Sequence, residues 1–252
     1  RRLDLLQAEE VGRLFGQRIG APRSGASGPG IRRAGSLHSP YSTNHGNKLM
    51  RLILIRHGQT EWNREYRVQG QADPPLNETG KAQAEAIARA LQHEPIRAIY
   101  SSPLSRALDT ALAINRFHAV AVLPHEGLKE LNVGETDGIY FPDLPMHYPD
   151  FFAQWKTSAA SVRWPGGETL PELQDRVWRA VCEITAQTIE GSVVITSHLF
   201  ALTSLLCKVL DLDLSGFRKL NLSVGSISEI EISGDRYRLI RFNETCHLSH
   251  GF

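Results

Sequence analysis

The stretch Leu52-Ile53-Leu54-Ile55-Arg56-His57-Gly58-Gln59-Thr60-Glu61-Trp62-Asn63 decides the fold. Four branched apolar residues in a row fit a strand covered on both faces, as the central strands of parallel sheets are. The run stops at Arg56-His57-Gly58, so a cation and an imidazole sit where strand becomes loop. That junction is where open α/β sheets carry their chemistry.

Outward from this strand, the composition is ordinary. The 252 residues are 41% hydrophobic and 22% charged, which predicts a single globular domain of about 200 residues plus a tail. A formal net charge of +1 gives no global reason to expect nucleic acid or an anionic membrane surface as partner, so any anion site is local. Cys182, Cys207 and Cys246 are odd in number and form no CxxC, which argues against a disulfide framework or zinc knuckle and for reduced thiols in the cytoplasm. No apolar run approaches the roughly 20 residues that span a bilayer.

Upstream, Leu3 to Leu14 is a short amphipathic opening, and Ala21 to Asn47 is dense in Gly, Ser, Pro and Arg, which reads as disorder. Residues 1–49 are expected to be a leader or an extension foreign to the native chain, 50–248 the folded domain and 249–252 a tail.

Downstream, Gly70, Asp73, Pro74 and Pro75 exclude regular helix before Asn77, which caps a helix running to about His93. Ile96 to Tyr100 is a second strand, and Ser101-Ser102-Pro103 opens a helix carrying Arg106 one turn inside. Ala119 to Leu123 is a third strand candidate. Residues 139–164 are rich in proline and aromatics, with a helix at about Pro149 to Ser158, and are expected to cover a pocket. A turn at Trp164 to Thr169 leads into a long amphipathic helix ending near Glu190. Ser192 to Thr196 is another buried strand, delivering Ser197-His198 to the start of a helix over Phe200 to Leu210. Ser226 to Ile232 and Arg236 to Phe242 alternate as a hairpin, and Ile227 to Ile232, placed near an edge, could pair across a two-fold in a homodimer. Strands alternating with helices make a three-layer α/β/α sandwich with a mostly parallel sheet.

In such a sheet the strand ends share one edge, so Arg56, His57, Arg106 and His198 can converge. Two guanidiniums and two imidazoles in a concave site suit a dianionic phosphate. A lone histidine is more often a packed or solvated residue, and pattern alone leaves open whether His57 is nucleophile, ligand or base.

The ordered blocks Arg56-His57-Gly58-Gln59-Thr60 with Asn63, Gln69-Gly70, Pro75 to Gly80, Ser101 to Ala107, Leu131 to Gly138, Pro165 to Thr169, Ser197-His198 and Phe242 to Leu248 resemble the histidine phosphatase superfamily, in its phosphoglycerate-mutase-like branch. Broad-specificity and α-ribazole-type phosphatases are the nearest subgroup in pattern. The resemblance implies the phosphoglycerate mutase-like fold and a phosphomonoesterase that needs neither cofactor nor metal. It also implies a phosphorylated small metabolite and inorganic phosphate as its partners. His57 would be the nucleophile that forms a phosphohistidine. Arg56, Arg106, His198, Asn63, Gln69, Gly70 and the backbone of Leu199 would hold the phosphoryl group. Glu130 would protonate the leaving alkoxide and then activate water, with Glu135 as rival. The chain departs from the family at Leu199, where glycine is usual, and at Thr136, where tryptophan is common.

Two other functions were weighed. A phosphoglycerate mutase would carry a longer insert with paired arginines, whereas the basic residues here, Lys156 and Arg163, are not adjacent. A non-catalytic phosphate-binding module is encouraged only by Leu199 and opposed by the filled catalytic positions.

Overall fold

The computed structural model describes residues 49–187 and 190–249. The expected leader up to residue 48 and the last three residues of the tail lie outside the described residues, and Leu49 already belongs to the first strand. Six strands form one sheet: β1 (Leu49–Arg56), β2 (Ile96–Ser101), β3 (Val122–Pro124), β4 (Gly191–Ser197), β5 (Ile227–Ser233) and β6 (Arg236–Glu244). Their order is β3-β2-β4-β1-β5-β6. The pairs β3/β2, β2/β4 and β4/β1 are parallel, while β1/β5 and β5/β6 are antiparallel.

The helices are α1 (Glu61–Arg64), α2 (Glu78–Leu91), α3 (Ser105–Asn115), α4 (Leu144–His147), α5 (Pro149–Ser158), α6 (Leu170–Gln187) and α7 (Leu199–Val209). Side chains on β1 alternate between the two faces of the sheet, which is why the apolar run Leu52 to Ile55 serves two cores. Leu52 and Leu54 join the larger core with α6, α7 and the aromatic segment, whereas Ile53 and Ile55 join the smaller one with α2 and α3. On α6 the buried residues Leu170, Leu173, Val177, Ala180, Val181 and Ile184 recur at helical spacing, so the helix presents one apolar stripe to the sheet.

Three expectations are corrected. Helix α3 starts at Ser105 with Leu104 as its N-cap, so Arg106 is its second residue rather than a turn inside. The reason is local: Leu104 N donates to Ser102 Oγ at 3.3 Å, which holds Ser102 to Leu104 outside the helix. β5 is no edge, because β6 covers it; the sheet ends in β3 and β6. The aromatic segment, expected over a pocket, supplies none of the residues that line the cleft at the strand ends. Phe151, Trp155 and Trp164 are buried together, and Trp155 also packs against Phe200 and Phe217, because rings of that size stabilise most by complete burial.

The first turn of α2 lies against the loop after β1. Asn77 caps it, its Oδ1 accepting from Gly80 N at 2.8 Å. A Cβ at Gly80 would collide with the backbone oxygen of Gln59, and one at Gly58 with that of Gly80. The two glycines therefore set how closely α2 approaches the loop that carries His57. Gly80→Ala is expected to cost about 1–3 kcal/mol through overpacking, read as a lower urea midpoint with an unchanged slope, and to lower activity as the loop shifts.

Candidate active site

The parallel strands end in register. Arg56 pairs with Ser197 across β1/β4, and Ser101 pairs with Thr196 across β2/β4. The residues that follow, His57, His198 and Ser102, therefore emerge at one edge. His57 N donates to Ser197 O at 3.1 Å, and Gly225 N donates to His57 O at 3.0 Å, so the backbone of His57 is held from both sides.

The His57 side chain is just as constrained. Its Nδ1 lies 2.7 Å from Gly58 O. A carbonyl can only accept, so the ring carries its proton on Nδ1 and keeps a lone pair on Nε2. Burial holds its pKa well below the usual imidazole value, helped by the charges of Arg106 and Arg56. A neutral ring at pH 7 follows.

Arg56 Nη1 donates to Leu222 O at 2.5 Å. Arg106 is fully buried and donates to Ala72 O (2.8 Å) and Gly70 O (2.7 Å). Burial lowers the pKa of each guanidinium to about 10, so both remain cations. His198 caps α7, with Nε2 2.7 Å from Ser102 Oγ and its ring centroid 5.1 Å from that of His57. Arg56 Nε, Arg106 Nε and His198 Nδ1 are buried nitrogens without a partner among the described residues.

Glu130 sits at the amino end of α7. Its Oε1 accepts from Leu131 N (2.8 Å) and Ala201 N (3.1 Å), and its Oε2 from Phe200 N (3.1 Å). Burial pushes its pKa above the usual carboxylate range, although these amides and Arg106 pull the other way. Glu135 is exposed and accepts from the Tyr148 hydroxyl at 3.3 Å, away from this group.

An open cleft lies above these residues. Arg56, His57, Asn63, Gln69, Glu130 and Leu199 line it; Gly70, Arg106 and His198 do not, and lie behind. Asn63 Oδ1 faces Thr60 N at 3.1 Å, and Thr60 Oγ1 lies 2.5 Å from Gln69 Oε1. Both amide oxygens are turned toward Thr60, which leaves the two NH₂ groups as donors for the cleft. The N–H of Gly70 goes to Asp137 Oδ1 at 2.8 Å and its carbonyl to Arg106, so Gly70 positions Arg106. Thr136 is buried, its hydroxyl donating to Val133 O at 2.8 Å, and does not reach the cleft.

Sequence reasoning missed the residues that hold this group in place. Asp137 accepts from both Gly70 N and Ala72 N (2.8 and 2.7 Å) and so shapes the loop that Arg106 grips. Arg176, from α6, donates to Gly127 O, Lys129 O and Glu130 O at 3.0–3.1 Å and to both oxygens of Glu168 at 2.9 Å. Its one signal in the sequence is a charge beside the apolar stripe of α6. Trp62, Tyr66, Arg67 and Phe200, which complete the cleft wall, gave none.

Residues 52–245 match the sequence model of the histidine phosphatase superfamily (branch 1). Phosphoserine phosphatase 1 of Hydrogenobacter thermophilus is 34% identical over 200 residues, covering 79% of this chain and 95% of its own. The metal-independent phosphoserine phosphatase of Arabidopsis thaliana is 31% identical over 207 residues, covering 81% and 85%. Among solved structures, Bacillus stearothermophilus YhfR superposes with a TM-score of 0.76 at 27% identity, covering 79% of this chain and 99% of that one.

Replacing Arg176 with Met removes the clamp on residues 127–132. The expected loss is about 2–4 kcal/mol of stability, because Glu168 and three carbonyls lose a charged donor. Denaturant titration checks it, and turnover should fall by more than KM rises because the Glu130 segment moves.

Proposed function

Because the chain belongs to the histidine phosphatase superfamily, we propose that it hydrolyses small phosphomonoesters without a metal, by way of a phosphohistidine on His57. The observation that carries this reading is the neutral, tautomer-fixed ring of His57, whose free Nε2 lone pair lies among buried cations.

The Nε2 lone pair attacks phosphorus and the bond to the leaving oxygen breaks. Phosphoryl oxygens serve as acceptors for Arg56, Asn63 and Gln69, and these fixed donors neutralise charge as it develops. Arg106 and His198 stand behind them, Arg106 adding its buried positive charge. Glu130 supplies the proton to the leaving alkoxide. Its Oε1 already accepts two amides and its Oε2 only one, so the proton sits on Oε2. In the second half the Glu130 carboxylate takes a proton from water, whose oxygen attacks phosphorus as the phosphorus–nitrogen bond breaks, releasing phosphate and the neutral His57 ring.

Hydrolysis is favoured over isomerisation of a phosphoglycerate. The Hydrogenobacter and Arabidopsis relatives named above are phosphoserine phosphatases, and the cations between the acid and the Pro165 turn are engaged elsewhere: Lys156 lies over the Phe152 ring, and Arg163 pairs with Glu172 at 2.5 Å. Neither lines the cleft.

His57→Ala should abolish turnover and the acid-labile phosphoenzyme together; retained turnover would end the proposal. EDTA should leave the rate unchanged. Glu130 must be protonated to act as acid, and burial raises its pKa above the usual carboxylate range, so kcat should fall as pH rises through that raised pKa. Glu130→Gln should lower kcat by about 10²–10⁴ for alkyl esters and remove that alkaline limb from the pH profile.

A further inference from the structure

Helix α1 closes with a specific backbone pattern. Arg67 N donates to Trp62 O at 2.9 Å and Tyr66 N to Asn63 O at 3.4 Å. These paired bonds require left-handed backbone at the residue between, where glycine is usual. Tyr66 occupies it, with φ of 54°. The other non-glycine residues with positive φ among the described residues are Asp211 and Asn243, types that enter this region readily. A bulky aromatic residue does not, and strain of that kind persists where surrounding structure enforces it and function uses it. Here the turn is pinned on its far side, because Phe141 N donates to Tyr66 O at 2.9 Å and Val68 N to Ile139 O at 2.8 Å.

Tyr66 and Trp62 line the cleft beside Leu199 and Phe200 of α7. Gly138 lets the Trp62 ring approach, since a Cβ there would lie 3.0 Å from it. Among the described residues, Glu130 is the one carboxylate lining the cleft, and both its oxygens are engaged by backbone amides. An ammonium on the leaving group would therefore find no free carboxylate in the lining, and Arg56 would repel it, while Arg67, also in the lining, is paired with Glu65 at 2.7 Å. A flat apolar group would instead meet two rings, a contact that is favourable by area and by stacking.

We propose that Tyr66, together with Trp62, determines specificity, selecting phosphomonoesters whose alcohol carries a flat apolar group over amino-acid phosphates. This rests on the phosphatase reading above. The test compares kcat/KM for 2-phenylethyl phosphate and O-phospho-L-serine, both esters of primary alcohols, so that the ratio reports recognition of the alcohol. The wild-type protein should prefer the phenylethyl ester. Tyr66→Gly and Tyr66→Asn, both compatible with the left-handed turn, should lower that preference about tenfold, whereas Tyr66→Phe should keep it. A wild-type preference for phosphoserine, or a ratio unchanged in Tyr66→Gly, would overturn this inference alone. Failure to turn over either ester would sink the phosphatase reading, and this inference with it.

Discussion

His57 N donates to Ser197 O and His57 O accepts from Gly225 N, and the rest of the site is measured from that doubly held residue. With both backbone polar groups paired, the imidazole starts from a fixed base, and the Gly58 carbonyl then fixes its rotation and its proton. In the proposed role of nucleophile, a ring so constrained loses little entropy on reaching an attacking geometry. The strand pairing is thus part of the chemistry as well as of the fold.

Glu130 shows the opposite economy, one group serving two ends. Its carboxyl satisfies amides at the amino end of α7 that would otherwise be orphaned, and the same burial raises its pKa. Capping favours the charged form and burial the neutral one, and burial prevails. Arg176 fixes where this balance is struck by gripping the carbonyls of Gly127, Lys129 and Glu130 itself, so a residue on another helix sets the surroundings of the Glu130 carboxyl.

The sheet and most helices were legible because they rest on local signals: the unbroken apolar run of β1, the Asn77 cap, the stripe on α6, the hairpin turn at Gly234. Arg56, His57, Arg106 and His198 were legible as strand-end residues whose convergence the parallel topology requires. The support was not. Asp137 and Arg176 act on backbone groups brought near by folding and Ser102 on the His198 ring, and no spacing rule links Arg176 to a carbonyl 46 residues earlier. The aromatic segment misled for a related reason: bulk in the sequence does not tell a lid from a core, and its rings had Phe200 and Phe217 to bury against. Tyr66 went unnoticed because a left-handed turn is ordinarily announced by glycine.

The placement of β1 in mid-sheet also carries a consequence for how the chain comes to be folded. Its neighbours, β4 and β5, are Gly191–Ser197 and Ile227–Ser233, both made long after it. At usual synthesis rates this strand, apolar from Leu52 to Ile55, waits about ten seconds with both edges unpaired. Contacts of such sequence separation make folding slow and leave strand edges open to other chains. The strand that carries His57 into the site is therefore also a segment that needs shielding while the protein is being made.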